Sequence, residues 1–186
     1  MTALALTGCE TQPKTRFFAL SASTATPEPV TSDLTVAIGP IDLPQYLQRP
    51  QIVTRPEDNR LVVDEFNRWG GSLEQEIDRV LTQNLGSLIG TQRIYSFPSR
   101  IVADVDYRIS IYIRGFDGAL GNTVTLDVSW SIIEERSASV IQTNRGRYQA
   151  VAEEGDYAAY AAALSRTLQQ LGRDLATDLT NATANP

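Results

Sequence analysis

Residues 105–132 read VDYRISIYIRGFDGALGNTVTLDVSWSI. In the first ten, Val105, Tyr107, Ile109, Ile111 and Ile113 alternate with Asp106, Arg108, Ser110, Tyr112 and Arg114. In the last ten, Val124, Leu126, Val128, Trp130 and Ile132 alternate with Thr125, Asp127, Ser129 and Ser131. Strand side chains point to opposite faces with period two, so each segment predicts a strand with one buried and one wetted face. The glycine-rich GFDGALGN (115–122) between them predicts a hairpin loop. It lacks the lysine and the helix start that a phosphate-binding loop needs. A third strand is expected from about Val140 to Val151, giving an antiparallel meander with one face buried.

Two helices are available to cover that face. Ser72, followed three residues later by Gln75, predicts a capping box. Leu73, Ile77, Val80, Leu81, Leu85, Leu88 and Ile89 then keep helical spacing up to Gly90, a natural stop. A last helix is expected from Tyr157 to about Leu179, with Tyr160, Leu164, Leu168, Leu171 and Leu175 along one stripe. Upstream, FFAL (17–20) and LTVAIGPI (34–41) read as strands. PQIVTR and RLVVDE flank the turn-rich Pro56-Glu57-Asp58-Asn59 and predict a β-hairpin. The expected fold is α+β: a mostly antiparallel sheet of about six strands with two amphipathic helices packed on one face. With no internal repeat or long linker, residues 16–180 form one domain. Residues 1–15 precede it as a signal and tether segment, and 181–186 follow as a tail.

Composition removes the common routes to catalysis. The chain contains no histidine, one cysteine (Cys9) and one lysine (Lys14). The usual general base, the usual metal ligand and any intramolecular disulfide are therefore missing. Glu134-Glu135 and Glu153-Glu154 are adjacent pairs, and neighbours on a strand face opposite ways, so they do not make a glycosidase pair. No catalytic residue, cofactor or metal is expected. A net charge of −6 argues against nucleic acid as a partner. Arg108, Arg114, Arg145 and Arg147 would give the sheet's outer face a basic patch, unless they pair across strands with Asp106 and Asp127.

At the N-terminus, Leu6-Thr7-Gly8 directly precedes Cys9. This resembles a bacterial lipobox, in which the cysteine receives a diacylglycerol and becomes the acylated N-terminus. Only eight residues precede Cys9, fewer than the roughly 15–30 of a secretory signal, so a truncated signal region is expected. Residues 21–33, SASTATPEPVTSD, suit a flexible surface loop or tether.

The most distinctive segment is PQYLQRPQIVTRP (44–56), stiff with proline and cationic but without a nucleophile. Together with GPIDL before it and RLVVDEFNRW after it, it resembles the auxiliary lipoproteins of ABC-type transporters, the paraquat-inducible protein C family. The matching pieces are a V-x-I-GP-[IV]-x-LP-x-YL opening at Val36 to Leu47, then RPQIVTR at Arg49 to Arg55. A hydrophobic strand at Leu61 to Val63 and Arg68-Trp69 before a capped helix complete the pattern. The resemblance implies a non-enzymatic outer-membrane lipoprotein, lipidated at Cys9 and facing the periplasm. Its implied partners are a mammalian-cell-entry-type (MCE) tunnel protein and the associated inner-membrane transporter components. By analogy with a symmetric tunnel, a homo-oligomer is plausible. Tyr46, Leu47, Arg49, Gln51 and Arg55 are the candidate partner contacts, because prolines pre-set the backbone and arginines bind carboxylates or phosphates in bidentate fashion. Alternatively, Pro44 and Pro50 only shape an edge strand and Arg55 pairs with a carboxylate such as Asp64 across the hairpin. Two other functions stay open: a lipid carrier with an apolar cavity of several hundred Å³, and a scaffold for another envelope machine.

Overall fold

The computed structural model describes residues 14–23, 32–98 and 104–184. Eight strands and two long helices follow in chain order: β1 Arg16–Phe18, β2 Val36–Asp42, β3 Gln51–Glu57, β4 Arg60–Trp69, α1 Leu73–Ile89, β5 Ile94–Ser96, β6 Tyr107–Gly118, β7 Thr123–Glu134, β8 Ser139–Val151 and α2 Tyr157–Ala184. The α+β class holds, but the strands divide into two sheets. A five-stranded sheet has the order β5-β2-β6-β7-β8, and a three-stranded sheet the order β1-β4-β3.

The predicted meander forms the heart of the larger sheet. Ile109 lies opposite Ile132, and Ser131 opposite Thr143, in two antiparallel ladders, each interrupted by one register shift. Ile109, Ile111, Val124, Leu126, Val128 and Ile132 have no exposed surface. Three features depart from the sequence expectation. The loop is shorter than GFDGALGN, since β6 runs on through Gly115, Phe116, Asp117 and Gly118 before the turn. A bulge between Ile113 and Gly115 permits this and breaks the alternation that marked the strand's end. Secondly, β5 is too short to carry a periodic signal, yet it pairs parallel with β2 at Val36–Ile94. Thirdly, β2 pairs parallel with β6, so the sheet is not wholly antiparallel.

Both helices pack on the sheet and against each other. Tyr160, Leu164, Leu168, Leu171 and Leu175 are buried to 1% exposure or less, as the stripe predicted. Burying a side chain of this kind stabilises by about 1.5–3 kcal/mol. Where α1 and α2 cross, a Cβ added at Gly172 would come within 3.3 Å of Asn84, so a small residue sets the helix separation. Ser72 is the N-cap of α1 with extended backbone, but its side chain makes no capping hydrogen bond; the capping box is absent. Gly90 ends α1 in the left-handed region at φ 62°, as its identity predicts. The final helix continues to Ala184, past the expected fraying at Asn181. Along the outer edge of β8, Arg166 Nη2 donates to the Val151 carbonyl (2.5 Å) and Gln170 Nε2 to the Gln149 carbonyl (3.3 Å).

The smaller sheet joins the hairpin to the start of the chain. β3 and β4 form the predicted antiparallel hairpin, closed at Glu57–Arg60. β1 lies parallel to β4, with Arg16, Phe17 and Phe18 opposite Asn67, Arg68 and Trp69. The chain after β1 is clamped between the helices. Leu20 N–H donates to Glu76 Oε2 (3.0 Å), Arg79 Nη2 donates to the Leu20 carbonyl (2.5 Å), and Ser21 N–H donates to Ser165 Oγ (3.0 Å).

Candidate functional site

The proline-rich segment crosses from one sheet to the other. After β2 it makes a single 3-10 turn at Gln45–Leu47 and then enters β3. Each proline-flanked corner is fixed by backbone bonds: Leu47 N–H donates to the Pro44 carbonyl (2.9 Å), and Trp69 N–H to the Pro50 carbonyl (2.8 Å).

Two of the five candidate residues meet. Tyr46 O–H donates to Asp117 Oδ2, while Arg55 holds the same carboxylate with Nε on Oδ1 (2.8 Å) and Nη2 on Oδ2 (3.2 Å). The guanidinium also lies 5.6 Å from the centre of the Tyr46 ring. Asp117 is 8% exposed, so its charge is compensated by this bidentate cation and by the phenol. Burial, reinforced by the neighbouring carboxylate, pushes the Tyr46 hydroxyl up to about 12. The hydrogen bond to Asp117 is the main cause that holds Arg55 still more firmly protonated. Beside this cluster, buried Tyr160 on α2 donates to the Val53 carbonyl (2.9 Å). The network thus ties the turn and β3 of one sheet to β6 of the other.

The remaining candidates are separated from it. Leu47 is 3% exposed and belongs to the core, so it supports the turn and offers no surface to a partner. Gln51 is half-buried at the start of β3, with Nε2 3.3 Å from Glu65 Oε2. Arg49 is exposed, and no described residue pairs with its side chain. It borders a groove of about 540 Å³ formed by residues 40–43, 47–50 and 71–74, where the turn faces the start of α1. The pairing of Arg55 with Asp64 does not occur. Asp64 instead accepts from the Phe66 and Asn67 amides (2.8 and 2.7 Å) and from Tyr157 O–H (3.1 Å). The sequence pattern places Asp117 in the hairpin loop, and the bulge that carries β6 on past it leaves no alternation by which it could be found.

The sheet arginines are largely neutralised. Asp127 takes Arg114 (2.5 Å) and Arg145 (3.2 Å), as cross-strand pairing requires, but Arg108 pairs with Glu135 (2.5 Å) rather than Asp106. Asp106 instead accepts from the Thr35 amide (2.8 Å). Among the described residues no group of three or more His, Cys, Asp or Glu side chains could hold a metal ion.

Comparison with known proteins identifies the lineage. The family described as "ABC-type transport auxiliary lipoprotein component" matches residues 18–176. The chain belongs to this family. That span takes in β2 to β8, α1 and the first 20 residues of α2, so the Tyr46–Asp117–Arg55 cluster lies inside the auxiliary-lipoprotein body. Two solved structures share the fold. One, a crystal structure of an uncharacterized protein, has a TM-score of 0.73 at 16% identity, covering 90% of this chain and 99% of that one. The other, from Xanthomonas campestris and assigned to family DUF330, has a TM-score of 0.68 at 18% identity, covering 87% and 92%. No curated protein matches the chain.

As an auxiliary lipoprotein, the protein has among its described residues no helix long and apolar enough to cross a membrane. Cys9, the lipidation candidate, lies outside the described residues. The helix–sheet interface is filled: side chains with no exposed surface, such as Leu81, Leu85, Leu168 and Leu171, cannot line a void.

Proposed function

We propose that this auxiliary lipoprotein is a non-enzymatic adaptor, held in the outer membrane through acylated Cys9 and facing the periplasm. Its body docks an MCE-type tunnel protein that carries lipid between the two membranes, with the inner-membrane transporter components beyond. Membership of the ABC-type transport auxiliary lipoprotein family carries the reading. The geometry supports it in one respect. The Asp117 cluster and the prolines fix the backbone of residues 44–56, and Arg49, with which no described residue pairs, stands out from that rigid frame. A preorganised cation loses little entropy on meeting a carboxylate. The filled helix–sheet interface disfavours the alternative of a carrier holding lipid in its own core.

Photo-crosslinking from positions 46–55 in intact envelopes, with mass spectrometry of the trapped species, tests the docking. The expected product is a tunnel protein of the transporter. Capture of a cell-wall synthase instead would favour the scaffold reading. Arg49→Glu should weaken transporter binding with unchanged melting, and unaltered binding would remove this residue from the interface.

A further inference from the structure

The three-stranded sheet has a face that the docking reading does not use. Phe17 on β1 is 67% exposed, the most exposed large apolar side chain among the described residues. Phe66 on β4, next to the Asn67 that pairs with Arg16, is 44% exposed. Opposite Phe17 stands Arg68. Lys14 and Arg16, just before Phe17, are exposed, and no described residue pairs with either. Glu65 is the local countercharge, 3.6 Å from Arg68. Paired residues of a parallel ladder point the same way, so Phe17 and Arg68 share one face, with Phe66 two residues before Arg68; Arg16 points to the other face, and Lys14 lies just before the strand. Two aromatics with Arg68 among them and Lys14 at the rim form an amphipathic patch of the kind that seats at a headgroup boundary.

The position of the patch in the chain identifies its occupant. Only residues 10–15 separate Cys9 from Arg16. Even fully extended, the seven steps from Cys9 to Arg16 reach no more than about 25 Å. An acyl anchor on Cys9 therefore keeps Arg16 within that distance of the bilayer at all times, and Phe17 one residue further. The net charge of −6 opposes recruitment of the free protein to an anionic surface, but a tether removes the need for recruitment and leaves orientation to the local charges.

We propose that the sheet face around Phe17 and Phe66 lies against the anionic headgroups of the bilayer that holds Cys9, with both rings in the interface and Lys14 and Arg68 on the phosphates. This rests on the reading of Cys9 as the anchored residue. Arg55 lies near the far end of β3 from Gln51, which pairs with Arg68, so the Asp117 cluster is carried away from the membrane.

The test uses the full chain, coupled through its single thiol at Cys9 to a maleimide lipid in phosphatidylethanolamine–phosphatidylglycerol vesicles. Phe17→Trp, Phe66→Trp and Ile141→Trp are compared, the last being exposed on β8 of the other sheet. Native Trp69 and Trp130 are buried and supply a constant background. With brominated acyl chains, tryptophan at positions 17 and 66 should lose most of its fluorescence, while that at 141 keeps its brightness. Adding Lys14→Glu and Arg68→Glu to Phe17→Trp should restore the signal. Absence of quenching at 17 and 66, equal quenching at 141, or indifference to the charge reversal would each overturn the proposal. Because the tether is chemical, this outcome does not depend on cellular acylation, which the mass of the membrane-extracted protein reports separately.

Discussion

Replacing Asp117 by alanine removes the one carboxylate on which the Tyr46–Arg55 cluster converges. Removing one partner of a buried ion pair costs about 3–5 kcal/mol. Here the Arg55 side chain keeps 31% of its surface in water, against 10% for Asp117. Part of its hydration returns when the partner is lost, which lowers the expected cost to about 2–4 kcal/mol. For a chain of this size each kcal/mol moves the melting temperature by about 2–4 °C, so Asp117→Ala should melt roughly 4–16 °C lower. Urea unfolding followed by tryptophan fluorescence measures the free energy. A cycle with Arg55→Met separates the pair from simple loss of packing, and the double variant should be clearly more stable than the sum of the single losses implies. A loss below about 1 kcal/mol, or strict additivity with Arg55→Met, would show that the cluster does not join the two sheets energetically.

Three further outcomes follow from the geometry. Tyr46 and Tyr157 are both pushed up to about 12, chiefly by burial and then by Asp117 and Asp64 respectively. The folded state therefore keeps these protons where the unfolded chain, with phenols near 10, loses them. Stability should be intact below about pH 10 and fall between about pH 10 and 12; Tyr46→Phe should flatten the fall, and an identical pH profile of urea midpoints would count against it. Gly39 sits at φ +123°, and a Cβ there would lie 2.9 Å from the Phe97 carbonyl oxygen. Gly39→Ala should cost at least about 1–3 kcal/mol by urea unfolding, and a neutral result would contradict that backbone geometry. Leu168→Ala, at a site with no exposed surface, should cost about 2–5 kcal/mol, whereas Leu88→Ala, 38% exposed, should cost much less. Equal costs would mean that the stripe of α2 is not the buried one.

Local periodicity was legible in the sequence, and pairing between distant segments was not. The meander, the hairpin around Pro56 and both helices follow from alternation or helical spacing, because each such pattern is written within one segment. The division into two sheets depends on β1 choosing β4, and β2 choosing β5 and β6, all in parallel. Nothing in a three-residue strand encodes such a choice. The site divided in the same way. That residues 44–56 are stiff and cationic could be read from the prolines and arginines, but the partner of Arg55 is 62 residues away across a bulge, and the nearer Asp64 was the wrong carboxylate. Leu47 counted as a contact because it belongs to the distinctive motif, and in the fold that motif leucine is core. Exposed Phe17 was read only as part of a strand, since alternation cannot tell which face of a two-sided ribbon meets water.

The parallel seating of β1 also has a mechanical consequence. A pull applied to the chain before Arg16, as the proposed anchor would apply it, runs into a strand whose neighbour, β4, points the same way. Force along that axis loads the rungs of the ladder together, in shear, instead of opening them one at a time. Behind the strand, the Leu20 peptide is gripped on both sides by Glu76 and Arg79 of α1, so strain that passes β1 is handed to a helix buried against the sheet. A body built in this way resists being peeled open from its N-terminal end.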